Sequence, residues 1–188
     1  MTQRTTMIME AMRADITSLH VDAIVNAANS TLLGGGGVDG AIHKVAGAEL
    51  LEACKKIRAT QWPDGLPVGE AVATPGFHLP ARWVIHTVGP NRHRGQTDPA
   101  LLANAFRNSA ECAARLGAQT IAFPAISGGV YGWDMHDVAR IAVNTLHSWV
   151  PKNGATLPRT IIFALFSGEA KQIFHDELGR LPSKIALS

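Results

Sequence analysis

Four consecutive glycines, Gly34 to Gly37, separate an apolar run from an amphipathic stretch, with Asn29 just before them and Asp39 just after. A strand-to-helix junction of this kind suits anions. The first turn of a helix has unpaired N–H groups and a partial positive charge, and glycine lets the main chain approach a phosphate with no Cβ in the way. The familiar nucleotide loop follows its glycines with a lysine and a Ser or Thr, for the terminal phosphates and magnesium. Here that slot reads Val38-Asp39. A carboxylate beside an anion is costly unless it acts on something else, such as a sugar hydroxyl or a water. Alone, this loop supports two readings: a phosphate cradle, or a flexible turn with Asp39 as a helix cap.

A second loop favours the cradle. Thr120-Ile-Ala-Phe-Pro-Ala-Ile126 reads as a buried strand, followed by Ser127-Gly128-Gly129-Val130-Tyr131-Gly132 and then a helix. Two glycine loops at strand exits of one sheet can grip opposite sides of a diphosphate with backbone amides, needing neither lysine nor metal.

The elements that must position these loops follow from periodicity. Strands are expected over 6–12, 23–28, 69–75, 83–88, 120–126 and 160–166. A helix starting at Asp39 or Gly40 would put Ile42, Val45, Ala46, Leu50, Cys54 and Ile57 on one face. Asp98-Pro99 opens another that stops at Gly117; Asp134 caps a third, ended by Pro151, and Ser167 caps the last. The segment Trp62-Pro-Asp-Gly-Leu-Pro67 reads as a surface loop. Strands alternating with helices imply a largely parallel sheet covered on both faces, whose ligand crevice lies at the carboxyl ends of the strands.

At 188 residues and 46% hydrophobic, the chain can bury one sizeable core, expected as a single domain over 1–182 with a loose tail at 183–188. The formal charge of +2 comes from scattered Lys and Arg, so nucleic acid is not expected as a main partner. No run approaches a membrane span and the first residues lack a secretory core, which gives a cytoplasmic expectation. Cys54 and Cys112 read as small core residues rather than as a disulfide or a nucleophile. No histidine pairs at zinc spacing, so neither a metal nor any other cofactor is expected. His43 and His86 read as structural histidines, although His43 lies four residues beyond Asp39 and can face the crevice. With no Gly-x-Ser-x-Gly elbow, Ser127 reads as part of a backbone cradle and not as a nucleophile.

Five blocks occur in order: Asp15-Ile-Thr17, Asp22-Ala-Ile-Val-Asn-Ala-Ala-Asn29, Gly34-Gly-Gly-Gly-Val-Asp-Gly-Ala-Ile-His43, Ile85-His-Thr-Val-Gly-Pro90 and Phe123-Pro-Ala-Ile-Ser-Gly-Gly-Val-Tyr-Gly132. Together they resemble the macrodomain family, in particular its MacroD-type branch, over nearly the whole chain. The resemblance implies an α/β fold, a three-layer α/β/α macrodomain with a mixed, largely parallel central sheet. It implies an ADP-ribose cleft and hydrolysis of acyl groups esterified to ADP-ribose. The substrates would be O-acetyl-ADP-ribose and mono-ADP-ribosylated proteins modified on Glu or Asp, with the protein acting as a monomer.

Carried over by position, Asp15 would accept from the adenine amino group with the Ile16 amide beside it; the other reading of Asp15 is an exposed cap at the end of the first strand. Phe166 would lie against adenine; without the resemblance it reads as a core residue. The amides from Gly34 through Gly36, Gly37 and Val38, and those of Ser127, Gly128, Gly129, Val130 and Tyr131, would hold the two phosphates. Asn29 and Asp39 would face the distal ribose, under Tyr131, as the catalytic pair. Asp39 would orient or deprotonate water if burial or the diphosphate raises its pKa, or a substrate phosphate oxygen would share that task. Two departures stand out: Ala14 where the family has glycine, and Gly128 where it has threonine, which adds backbone freedom to the second loop. Two other readings keep the cradle: a reader that binds ADP-ribosyl groups without turnover, and a phosphatase acting on ADP-ribose with a terminal phosphate.

Overall fold

Ala23-Ile24-Val25 and Ile121-Ala122-Phe123 are buried at every residue, alternating faces included, so the sheet that holds them must be covered on both sides. The computed structural model describes residues 6–182, and the expected tail at 183–188 lies outside the described residues. Its strands are β1 (Ile8–Arg13), β2 (Ala23–Ala28), β3 (Ala71–Pro75), β4 (Trp83–Val88), β5 (Thr120–Phe123) and β6 (Thr160–Leu165). They form one sheet in the order β1-β6-β5-β2-β4-β3. Every neighbouring pair is parallel except β3 with β4, which gives the mixed, largely parallel sheet that was expected.

The helices are α1 (Gly37–Ala46), α2 (Ala48–Thr60), α3 (Pro99–Arg115), α4 (Met135–Ser148) and α5 (Gly168–Gly179). Val25, Ile85, Ile121, Phe123 and Phe163 point to the face covered by α3, α4 and α5. Phe106, Phe123, Phe163 and Phe174 touch in series from α3 across β5 and β6 to α5. On the other face Ile24, Val84, Ala122 and Ile162 meet Ile42, Ala46 and Leu50 of α1 and α2, and Ala28, Val72 and Val88 meet Cys54 and Ile57. The result is a three-layer α/β/α fold.

The caps fall where the side chains place them. Asp98 accepts from the Ala100 amide, Asp134 from His136 and Ser167 from Ala170. One expectation is corrected. The helix expected to run from Asp39 through Ile57 is two helices, broken at Gly47, whose φ of 89° and ψ of 178° lie outside any helical region. Val45, expected on the buried face, is 41% exposed. The first helix also begins earlier, at Gly37. The strand expected over 120–126 ends at Phe123, before Pro124, whose missing N–H ends the ladder.

Because β1, β6, β5, β2 and β4 are parallel, the segments leaving their carboxyl ends share one edge of the sheet. The strand order sets their sequence along it: Asp15 after β1, Phe166 after β6, the Ser127 loop after β5 and the Gly34 loop after β2. Gly47 offers a test of this frame. A Cβ there would sit an ordinary 3.5 Å from the His78 ring, so Gly47→Ala adds backbone strain with no clash. That conformation is nearly exclusive to glycine and should cost roughly 1–3 kcal/mol. Thermal unfolding should show a Tm lowered by several degrees with helix content unchanged; an unchanged Tm would contradict the assigned backbone.

Candidate functional site

The first loop turns back on the helix it opens. A Cβ on Gly40 would lie 2.6 Å from the Gly35 carbonyl oxygen, so only glycine admits this approach. One on Gly35 would lie 3.2 Å from both Asn29 Nδ2 and Asp39 Oδ2. The amide and the carboxylate therefore converge over the bare α-carbon of Gly35. Asn29 is itself fixed: its Nδ2 donates to the Gly34 carbonyl at 3.0 Å, and its Oδ1 accepts from the Thr31 amide at 3.0 Å and from the Thr31 hydroxyl.

Asp39 does not cap α1, so that reading is set aside. The cap position is Gly36, which has no side chain to offer, and the first-turn amides of Gly37, Val38 and Asp39 have no intrahelical acceptor. Asp39 lies in that first turn and is 4% exposed. Its Oδ1 accepts from Asn26 Nδ2 at 2.8 Å and stands 3.4 Å from His43 Nε2. Burial holds its carboxyl above the ordinary carboxylate value, against the lowering effect of the Asn26 hydrogen bond and of His43.

The second loop is braced from below. Ser127 adopts a left-handed φ of 65°, and its hydroxyl donates to the Pro90 carbonyl at 2.8 Å, which occupies the group a nucleophile would need free. A Cβ on Gly89 would strike that Ser127 hydroxyl, so glycine is required where the segment leaving β4 meets the second loop. The Arg92 amide donates to the Tyr131 carbonyl at 2.9 Å, and a Cβ on Gly132 would lie 2.6 Å from the His93 ring. Within the loop the amides of Gly128, Gly132 and Trp133 donate to Ala125, Gly129 and Ser127 carbonyls. Among the described residues, the amides of Ser127, Gly129, Val130 and Tyr131 have no such partner. The Gly128 amide, expected among the phosphate donors, is thus engaged inside the loop.

At the far end, Asp15 Oδ1 accepts from the Thr17 amide at 2.9 Å and the Thr17 hydroxyl at 2.7 Å, holding the single turn Ile16–Ser18. Asp15 is exposed and Ile16 is buried. Ala14 is not among the residues with positive φ, so the exchange of glycine for alanine carries no strain. Phe166 is 65% exposed, which rules out its reading as a core residue. Arg13 Nε donates to its carbonyl, and β1 pairs with β6 through Arg13 and Leu165, so Asp15 and Phe166 are neighbours.

Asn26 was not singled out in the sequence, although a polar residue on a strand face otherwise carrying Ile24 and Ala28 was a usable signal. It is fully buried and donates also to His86 Nδ1, at 3.1 Å. Cys54 is buried beside His86, and burial pushes its thiol to about 12 and that of Cys112 to about 11, so both stay protonated at neutral pH. Among the described residues no group of three or more His, Cys, Asp or Glu side chains is placed to hold a metal ion, and no helix is long and apolar enough to cross a membrane. A separate cavity of about 360 Å³ lies between β3 and α3, on the face opposite Asp39. Its Glu111 is engaged structurally, accepting from Trp149 Nε1 and the Lys152 amide.

The pattern of the Macro domain family matches residues 25–142, from the middle of β2 into α4, and spans both glycine loops. The chain belongs to the macrodomain family. A protein of Escherichia fergusonii named O-acetyl-ADP-ribose deacetylase is 48% identical over 168 residues, 89% of this chain and 93% of that protein. The Oceanobacillus iheyensis macrodomain solved with ADP superposes with a TM-score of 0.83 at 42% identity, covering 91% of this macrodomain and 90% of that chain. The Trypanosoma brucei macrodomain solved in complex with ADP-ribose superposes at 0.76 with 37% identity, covering 89% and 68%.

The raised Asp39 pKa fixes the sign of a stability effect. Folding favours the protonated carboxyl, so its contribution is complete below the unfolded pKa of about 4 and is lost as pH rises through the higher folded value. At neutral pH the buried charge is therefore destabilising. Asp39→Asn keeps the shape and an acceptor for Asn26, and should raise Tm by a few degrees at pH 7.5. The gain should shrink as the pH falls to about 4, and a variant less stable than the parent at both values would refute it.

Proposed function

We propose that this macrodomain binds ADP-ribose along the carboxyl edge of its sheet and hydrolyses acyl esters of it: O-acetyl-ADP-ribose, and ADP-ribose linked to Glu or Asp of proteins. The observation that carries the reading is the convergence of Asn29 and the buried Asp39 carboxylate over Gly35, beside the unpaired amides at the start of α1. The named deacetylase relative and the nucleotide-bound structural neighbours support it.

In this reading Asp15 and the Ile16 amide meet the adenine edge and Phe166 its ring face. The amides of Gly36, Gly37 and Val38 take one side of the diphosphate, and those of Ser127, Gly129, Val130 and Tyr131 the other. Neutral N–H donors hold the phosphates without a lysine, and the helix N-terminus adds its partial charge. Asn29 fixes a hydroxyl of the distal ribose with a neutral amide, and the Tyr131 ring covers that sugar.

Ester cleavage needs an oriented water, an acceptor for its proton and a route for the leaving alkoxide. Asp39 orients the water. Its raised pKa moves a carboxylate toward the basicity that removing a proton at neutral pH requires, and the charge of a bound diphosphate raises it further. The water oxygen bonds to the acyl carbon as the water proton passes to Asp39; the bond between the acyl carbon and the ribose oxygen then breaks, and Asp39 returns that proton to the leaving ribose oxygen.

The test is release of acetate from O-acetyl-ADP-ribose. Asp39→Ala should lower kcat by about 100- to 1,000-fold and leave the Kd for ADP-ribose within about threefold, measured by calorimetry. Binding with no acetate release from the parent protein would leave a reader, and phosphate release from an ADP-ribose phosphomonoester in its place would mark a phosphatase.

A further inference from the structure

Asn26 has one carboxamide and two demands on it. Its Nδ2 donates to Asp39 Oδ1 at 2.8 Å and to His86 Nδ1 at 3.1 Å, and its Oδ1 is buried with no hydrogen-bonding partner among the described residues. An orphan carbonyl costs on the order of 1–3 kcal/mol, so the fold keeps this amide orientation against a real penalty. What keeps it is the ring beside it. A nitrogen that accepts from an N–H must be bare, so His86 carries its proton on Nε2, where Thr74 Oγ1 lies 2.9 Å away to receive it. In the other tautomer, an Nδ1–H would face the Asn26 N–H donor to donor. The amide would then turn over and set its oxygen against the Asp39 carboxylate, acceptor to acceptor.

Parallel pairing sets Asn26 directly opposite His86, and antiparallel pairing sets His86 opposite Val72, two residues from Thr74 on the same face. The chain of contacts therefore runs across β3, β4 and β2 beneath the two helices and ends on Asp39. We propose that His86, in the Nε2–H tautomer whose proton Thr74 receives, is a positioning residue that holds the Asn26 donor on the Asp39 carboxylate and so tunes the base. The inference rests on the hydrolase reading for its effect on rate, though its effect on Asp39 does not. Burial supports it by pushing His86 to about 3, so the ring stays neutral through the working range.

The titratable groups facing this chain are His43 from α1, Cys54 from α2, and Asp39 and His86 themselves; Asn26 of β2, Thr74 of β3 and Asn29 are neutral. His43 is retained in every variant, so its influence is common to all, and the Cys54 thiol, pushed up to about 12 by burial, stays protonated at neutral pH.

Carboxyl 13C NMR of the full chain reads the Asp39 titration directly. His86→Leu should raise its midpoint by about one pH unit, the worth of one hydrogen bond to a charged group. Thr74→Val should move it the same way by less, and His86→Asn, whose Oδ1 can replace the accepting nitrogen, should return part of the shift. In the unmodified protein, 1H–15N correlation should place the His86 proton on Nε2. In acetate release the acidic limb of kcat should move up with the midpoint while KM holds, because neither residue reaches the nucleotide. A proton found on Nδ1, or an Asp39 midpoint unmoved in folded His86→Leu or Thr74→Val, overturns the proposal. Absence of acetate release from the unmodified protein would fail the hydrolase reading alone, since the titration still decides the relay.

Discussion

In the proposed reaction the acid at the centre of the site must be ionised to act, yet it is buried, and the local structure is arranged around that conflict. Desolvation raises the Asp39 carboxyl above its ordinary value. Three partly compensating contacts keep the carboxylate accessible: the Asn26 donor, the nearby His43 ring and the amino end of α1. None neutralises it as a lysine or arginine would. A full salt bridge would hold the pKa low and leave a weak base, whereas a single neutral donor offsets part of the desolvation and leaves a carboxylate of raised basicity. The same logic extends outward, because a cationic phosphate ligand beside Asp39 would depress it again. A cradle of backbone amides would hold the anion without setting a cation beside the acid.

Strand order converts that local chemistry into a linear site. A parallel sheet gathers its loops at one edge, and the neighbours β1-β6 and β5-β2 bring together pairs of segments far apart in sequence. Asp15 lies beside Phe166 through one pairing, and the two glycine loops lie beside each other through the next. The spacing between the proposed adenine end and the reacting end is then a number of strands, fixed by the ladder rather than by loop lengths.

Much of this was legible before any coordinates. Local chemistry that repeats, such as the caps Asp98, Asp134 and Ser167 or the glycines at strand exits, depends on neighbours in sequence and reads correctly from them. The break at Gly47 was missed because the apolar spacing on either side continues almost in phase, and a glycine within such a pattern is often tolerated. Phe166 was ambiguous for a related reason: the last residue of an apolar strand is buried or exposed according to which strand lies next to it. Asn26 was the larger omission, and His86 read as structural without its partners. Their roles exist only across strand pairings, and a polar residue in a buried strand reports that a partner exists without saying where. The engagement of the Gly128 amide was likewise invisible, since it depends on how the loop folds onto Ala125.

The glycine at 128 also changes what the second loop's stiffness rests on. A Cβ there would approach the Met135 methyl at 3.1 Å and the Ala125 carbonyl at 3.2 Å, so the small residue suits a loop packed closely at its base. The contacts that hold it come from elsewhere: Ser127 on Pro90, Gly89 beneath Ser127, Arg92 on Tyr131 and His93 against Gly132. They end at Gly129 and Val130. An added Cβ on Gly129 would meet nothing within 4 Å, and Val130 is 88% exposed. Of the four amides free to hold an anion, those of Gly129 and Val130 lie at the loop tip and those of Ser127 and Tyr131 in its braced base. Ordering two residues on binding costs little next to ordering a whole loop, so freedom gained at residue 128 is confined by the brace and need not weaken the grip on a phosphate.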